Sequence, residues 1–436
     1  MFSCKFDETI ILYGKGGGCM GEDKYLEFKE NIQLNTFLKT ISAFANYGTG
    51  EIIFGIDDDG IIKGVDNPED ACLRLENKIN DNLKPIPRYE LDIGNDSTIT
   101  LKVFESDFKP YLYKGKAYKR YDSSTIEVDR LELNRLILEG NNQSYEEITS
   151  KKQNLTFTYL EKELIDNLSI KGLNEDILRT LDLYTNESQY NNAAALLADK
   201  NDYKGVDIVR FGKDIDEIMD RNIIENMSVL KMLKESVDMY KKYYQYEKIE
   251  GTTRTLVSRV PENAFREAIA NALIHRVWDV NTFIKVSMFE DRIEIVSPGG
   301  LPSGLGKDEY LNGQLSLLRN PIIGNLFFRL RYIEKFGTGI KRINKSYIDS
   351  ITKPKYKVYD NSICIELPTL LVTQNLTEDE KFLVSLFQGN IKLSRTDLES
   401  KSGLGKAKII RTINSLIEKN IIARSGKGRS TKYYIL

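Results

Sequence analysis

Glu22, Glu27, Lys29, Asp57, Asp58 and Asp59 fall close together near the front of the chain and carry charge suited to work on a phosphodiester. Glu27 and Lys29 stand two apart in YLEFKEN, whose alternation predicts a strand, so they share one face. Asp57 to Asp59 sit where the next predicted strand, EIIFGI, runs out. If the two strands pair, several carboxylates and one ammonium meet at one edge. Carboxylates brought together repel and need a cation or protons. A divalent metal held there activates water and steadies the charge that develops on a phosphodiester, while Lys29 neutralises the phosphate. The chain has one histidine, His275, and four cysteines in no C-x-x-C spacing. A metal would therefore be held by carboxylate oxygens, which favours Mg²⁺ or Mn²⁺. The same spacing also fits an exposed acidic turn to which Glu22 is unrelated.

A second constellation lies in PENAFREAIANALIHR, where apolar residues recur at helical spacing. Glu267 and Asn271 are four apart and stack on one face, with His275 four further on. A glutamate there can polarise water, and an asparagine can complete a Mg²⁺ shell around ATP; two ordinary polar residues on a helix fit equally. His275 reads as a satisfied, partly buried histidine, or as one that approaches the site from its place on that face. Two glycine turns follow, one in VSMFEDRIEIVSPGGLP and one in the GTG of RNPIIGNLFFRLRYIEKFGTGIKRI. Gly299, Gly300, Gly337 and Gly339 permit close backbone approach to phosphates, and a following helix offers free N–H groups. The earlier stretch GKGGGCMG places Lys15 before its glycines, unlike a phosphate loop, and reads as a flexible loop.

Around the first constellation the sequence predicts a compact α+β domain. LNTFLKTISAFAN has Leu34, Phe37, Leu38, Ile41 and Phe44 at helical spacing, stopped at Asn46-Tyr47-Gly48. IIKGVD reads as a short strand and Asn67 to Leu83 as a helix with Pro68 near its start. TITLKVFES and AYKRYDSST read as strands. In KPYLYKGKAYKRYDSST, Lys116, Lys119 and Arg120 interleave with tyrosines. That pattern suits phosphate neutralisation and base stacking, or a hairpin whose tyrosines pack on the core. The expected division is 1–135 for this domain, 136–250 as linker and connecting α+β region, 251–370 for the second domain, and 371–436 for a third.

The blocks GEDKYLEFKEN, TISAFANYGTGEIIFGIDDDGIIKGV and KPYLYKGKAYKRYDSST resemble the AlbA_2 domain of Schlafen proteins, over about residues 21–128. The resemblance implies metal-dependent RNA cleavage, with Glu22, Glu27 and Asp58 as metal ligands and Asp57 adjacent. Many bacterial relatives of this kind are nucleic-acid-binding modules, and a complete RNA cradle built from two such lobes would take a homodimer. Residues 255–345 resemble a divergent GHKL-type ATPase domain (also called AAA_4), an α/β sandwich. The resemblance implies an ATP site with Glu267 and Asn271 in the metal and water motif, Ser297, Pro298, Gly299 and Gly300 in the first glycine box, and Gly337, Thr338 and Gly339 in the second. Ordinary members have an aspartate in an Asp-x-Gly-x-Gly block that recognises adenine; Ser-Pro-Gly-Gly stands there instead, which speaks against adenine binding and still more against hydrolysis.

The last sixty residues predict three helices and a β-wing. Thr377 and Glu380 make a capping-box pattern. Residues 401–436 hold nine Lys or Arg against one acidic residue, a net of +8 in a chain of −2. Basic charge gathered on one small domain is the footprint of phosphate binding. The segment resembles a winged helix-turn-helix, with Lys406, Lys408 and Arg411 on the recognition helix and Arg424, Lys427, Arg429 and Lys432 on the wing; a winged helix used for protein docking fits the same residues. The chain thus reads as a multidomain α+β protein of the cytoplasm that handles RNA or DNA. No segment has the ~18 apolar residues of a membrane span, and the N-terminal apolar run is too short for a signal peptide. Two functions are expected of such a chain: a metal-dependent endoribonuclease in stress or defence, or a winged-helix transcriptional regulator with a nucleotide-sensing domain and no catalysis.

Overall fold

The computed structural model describes residues 21–57, 59–302, 304–313, 317–334, 337–370, 376–387, 392–419, 421–426 and 428–435, with residues 2–6, 9–13, 250 and 429 by backbone alone. Asp58, Lys427 and most of the GKGGGCMG stretch lie outside the described residues. The chain divides into two compact units, Met1–Ser144 and Tyr145–Leu436.

In the first unit, β1 (Leu26–Lys29), β2 (Gly50–Phe54), β3 (Tyr89–Ile93) and β4 (Ile99–Val103) form a sheet in the order β1-β2-β4-β3. The β1–β2 pair is parallel and the others are antiparallel. Helix α1 (Phe37–Tyr47) connects β1 to β2. Phe37, Leu38, Ile41, Phe44 and Ala45 lie on its buried face with Ile52, Phe54, Ile99 and Leu101 of the sheet. Each large side chain so buried contributes about 1.5–3 kcal/mol. Two polar residues of α1 are buried as well. Ser42 Oγ donates to the Tyr111 carbonyl at 2.7 Å, and the Asn46 side chain exchanges two hydrogen bonds with the Tyr111 backbone. They fasten the segment leading to the hairpin β5 (Tyr118–Tyr121) and β6 (Ser124–Glu127) against the helix. Helix α2 (Pro68–Asn82) starts at its proline, as the sequence predicts, and α3 (Arg130–Gly140) follows the hairpin. The strand expected in IIKGVD is reduced to a single bridge between Ile56 and Ile62.

In the second unit, a six-stranded mixed sheet is built from β7 (Lys204–Phe211), β8 (Ile218–Glu225), β9 (Ile284–Met288), β10 (Arg292–Pro298), β11 (Lys355–Tyr359) and β12 (Ser362–Pro368), in the order β8-β7-β9-β10-β12-β11. Helices α4 (Val229–Tyr244) and α5 (Glu262–His275) join its core, α5 through Ala264, Phe265, Ala268, Ile269, Ala272 and Leu273. Within residues 136–250, the expected linker and connecting α+β region, β7 and β8 belong to this sheet and α4 joins its core. β7 pairs in parallel with β9 and completes the same sheet as the later strands. The segment just after the first unit is fixed too: buried Glu146 accepts hydrogen bonds from the backbone N–H groups of Ile322 and Ile323, at the start of the later helix Pro321–Arg329.

The C-terminal segment contains α6 (Glu378–Ser385), β13 (Leu393–Ser394), α7 (Arg395–Ser402), α8 (Lys406–Glu418), β14 (Ile422–Ser425) and β15 (Lys432–Ile435), its small sheet ordered β13-β15-β14. The expected Thr377–Glu380 capping box is present. Ile409, Ile413 and Leu416 recur at helical spacing on the buried face of α8. Among the described residues, no helix is long and apolar enough to cross a membrane.

Candidate functional site

β1 directs Glu27 inward, where it is almost fully buried. Its Oε2 accepts from Arg120 Nη1 at 2.7 Å, and Lys29 Nζ lies 2.6 Å from Oε1. A lone buried carboxylate is costly, and here two cations compensate it. Arg120 also donates to the Asp23 carbonyl at 2.9 Å and to Thr125 Oγ1 at 3.1 Å. This corrects the expectation for Arg120. The strand alternation of β5 turns Tyr118 and Arg120 inward, so Arg120 is a buried partner of Glu27 and not a surface contact for phosphate.

The other acidic residues are occupied locally. Glu22 Oε1 accepts from the Phe28 backbone N–H at 2.8 Å. Asp57 Oδ1 accepts from the N–H groups of Ile61 and Asp59, and Lys63 Nζ lies 3.4 Å from its Oδ2. The hydrogen bond from Ile61, with Lys63 nearby, holds the Asp57 carboxyl below its ordinary range. Among the described residues, no group of three acidic, histidine or cysteine side chains converges to hold a metal. Of the expected ligand set Glu22, Glu27 and Asp58, Asp58 lies outside the described residues. Lys116 and Lys119 pair with Glu127 and Glu132 at 2.7 and 2.6 Å.

The second constellation does come together. Glu267, Asn271, Gly299, Gly300, Gly337 and Gly339 all line one cleft in the second unit, about 1000 Å³ of non-atom space that is partly open to solvent. α5 supplies one wall with Glu267, Asn271 and His275, and β10 and β12 supply a floor that includes Ile295, Ser297, Ile363 and Ile365. Around the mouth stand α9 (Lys307–Asn312), which brings Tyr310, and the GTG turn that opens α10 (Gly339–Lys345). A Cβ on Gly339 would lie 2.6 Å from Asn271 Nδ2 and 2.8 Å from Glu267 Oε1. Glycine at 339 is thus what lets the turn close on the two polar side chains. Gly299 adopts φ +105°, a conformation suited to glycine, with Arg319 packed behind it.

Burial raises the Glu267 carboxyl above its ordinary range, and Arg342 and Arg266 oppose the rise. Burial, with Arg319 nearby, brings His275 down to about 4, so its ring is neutral at physiological pH. No hydrogen bond from a described residue to that ring is seen. Burial brings the Tyr310 phenol up to about 12. Arg319 was not legible as a site residue. It donates to the His275 carbonyl at 2.9 Å and to the Gly300 carbonyl at 3.0 Å, joining the end of α5 to the glycine turn. Its place just before Asn320-Pro321 was the only available signal. The cleft has the size of a small-ligand site, with apolar walls and a few converging polar groups. A nucleotide fits this donor set.

In the C-terminal segment Lys406, Arg411, Arg424 and Lys432 are exposed, while Lys408 pairs with Asp379 at 2.7 Å. Lys427 and the Arg429 side chain lie outside the described residues.

The family model "Schlafen, AlbA_2" matches residues 22–129, and the model "Putative ATP-dependent DNA helicase recG C-terminal" matches 281–367. The second match contains both glycine turns; Glu267 and Asn271 lie before it. Among curated proteins, none matches the sequence. Of solved structures, the DIP2311 protein from Corynebacterium diphtheriae is similar at 17% identity and a TM-score of 0.48, over 99% of this chain and 94% of that one. The N-terminal domain of a putative ATP-dependent DNA helicase RecG-related protein from Nitrosomonas europaea is similar at 24% identity and a TM-score of 0.18, over 24% of this chain and 80% of that one. The chain carries a Schlafen AlbA_2 domain at residues 22–129 and a domain of the recG C-terminal family at residues 281–367.

Proposed function

We propose that this protein is a nucleic-acid-binding regulator that senses a nucleotide, ATP or a relative of it, in the cleft of its second unit. The C-terminal segment acts as a winged helix on duplex DNA, and the AlbA_2 domain binds nucleic acid without cutting it. The observation that carries the reading is the convergence of Glu267, Asn271, Gly299, Gly300, Gly337 and Gly339, drawn from three separate blocks of sequence, on one cleft. Supporting it, Glu27 is paired with Arg120 and Lys29. In the cleft, Asn271 and Glu267 would face the phosphates and any Mg²⁺ they bring, and the glycine turns would let the backbone approach them.

The test is equilibrium binding of ADP and ATP to the full chain, beside an assay of structured RNA with Mg²⁺, Mn²⁺ or EDTA. Nucleotide binding that weakens in Asn271→Ala, with RNA bound but intact, is the expected result. Metal-dependent RNA cleavage that disappears in Glu27→Gln would overturn this reading and make the protein an endoribonuclease.

A further inference from the structure

Glu267, Asn271 and His275 stand at four-residue spacing along α5, and all three line the cleft. A helix rises 1.5 Å per residue, so His275 lies about 6 Å beyond Asn271 and about 12 Å beyond Glu267 along the axis. The Glu267–Asn271 end meets the GTG turn at Gly339. The His275 end is bounded differently. Arg319 ties the His275 carbonyl to Gly300 there, and Leu318 packs close to Gly324, which also adjoins Ile274. Glu267 and Asn271 thus mark one end of the cleft, and His275 with Leu318 marks the other.

Two described polar side chains near that end, Ser297 and Arg319, are already committed. Ser297 Oγ donates to the Ala272 carbonyl at 3.0 Å, and the Arg319 guanidinium donates to the two carbonyls named above. The His275 ring has no hydrogen-bond partner among the described residues. A neutral imidazole offers one donor and one acceptor in one plane. A planar heteroaromatic ring whose edge meets one of the two, with its faces along apolar side chains, suits this end of the cleft.

We infer that His275 is a ligand-contacting, specificity-determining residue of the cleft, whose imidazole reads the edge of the nucleotide base. The inference rests on the nucleotide reading proposed above and assigns the two ends of the site: phosphates toward Gly339, base toward His275. Neutrality of the ring follows from its burial beside Arg319.

The experiment compares ADP with tripolyphosphate, a polyphosphate that lacks both ribose and base, on the full chain. Wild type, His275→Ala, His275→Leu and His275→Asn are titrated with each. ADP affinity is expected to fall about tenfold in His275→Ala and His275→Leu, the scale of one lost hydrogen bond, and to recover in part in His275→Asn. Tripolyphosphate affinity is expected to stay the same in all four. His275→Leu fills the ring's volume and carries the test if the alanine variant fails to fold. Unchanged ADP affinity in His275→Leu overturns the inference and leaves the nucleotide site standing. So does a wild type that binds tripolyphosphate as tightly as ADP. A wild type that binds neither ligand overturns the nucleotide reading itself, and the inference with it.

Discussion

Arg120 and Glu27, 93 positions apart in sequence, form a buried ion pair at 2.7 Å that joins the β5–β6 hairpin to the first strand of the sheet. Removing one partner of a buried pair leaves the other charge uncompensated, at a cost of about 3–5 kcal/mol. Lys29 remains beside Glu27, so Arg120→Met is expected near the lower end, roughly 3 kcal/mol. The double variant Arg120→Met, Glu27→Gln should recover part of that loss, because no bare charge is then buried. Urea unfolding of the single and double variants measures both. Equal stability of Arg120→Met and wild type would show that the pair contributes nothing.

The two glycine turns should respond differently to the same substitution. A Cβ on Gly339 meets the ends of two flexible side chains, Asn271 and Glu267, which can move aside. Gly339→Ala should therefore keep the melting temperature within a few degrees and weaken ADP binding about tenfold or more, because the displaced groups belong to the site. A Cβ on Gly300 would lie 2.1 Å from the backbone carbonyl of Asp360, which cannot step aside cheaply. Gly300→Ala is expected to destabilise the fold by about 1–3 kcal/mol. Thermal melts and ADP titrations on both variants separate loss of site from loss of fold.

Much of this geometry is legible in the sequence, for a physical reason. Periodicity reports one face of one element. It finds α1, α2 and α5, and it places Glu267, Asn271 and His275 on a common face. It does not report which strand lies beside which. The pairing of β7 with β9 links Val206 to Ile284 across intervening helices and a hairpin, and nothing local in either strand records it. Residues 136–250 look like a connector for that reason. Arg120 looks like a surface cation because its partner lies far back in the chain, and Glu146 looks like an ordinary polar residue because the helix it caps begins at Pro321. Strand β13, two residues long, is below the length at which alternation can be recognised.

Acid should weaken the C-terminal segment through Glu380. Burial tends to raise this carboxyl, but Lys419, Ser415 and the Thr377 backbone N–H hold it down to about 2, against an ordinary 4.5. A folded-state pKa below the unfolded one gives stability that is present above the unfolded value and is lost as pH falls through the folded value. The loss should therefore run from about pH 5 down toward pH 2, and amount to about 2 kcal/mol after allowance for the partial exposure of Lys419. Lys419→Met removes the main stabilising partner, so it should flatten the dependence. Unfolding of this segment, followed by urea titration at pH 7, 5 and 3.5, measures the slope. Parallel slopes for variant and wild type would remove Glu380 as its source.

Duplex binding should depend on the cations of α8 unequally. Lys406 and Arg411 are exposed, whereas Lys408 already has Asp379 as a partner at 2.7 Å. A phosphate contact releases condensed counterions, so each one lost lowers the slope of log K against log salt by about one unit. Lys406→Ala and Arg411→Ala should each produce a change of that size. Lys408→Ala should produce less, because binding through Lys408 must first break an ion pair inside the segment. Removal of residues 377–436 should abolish duplex binding and its salt dependence together. Binding that survives the deletion with an unchanged slope would place the duplex on another part of the chain, since no contact made by α8 or the wing could then account for it.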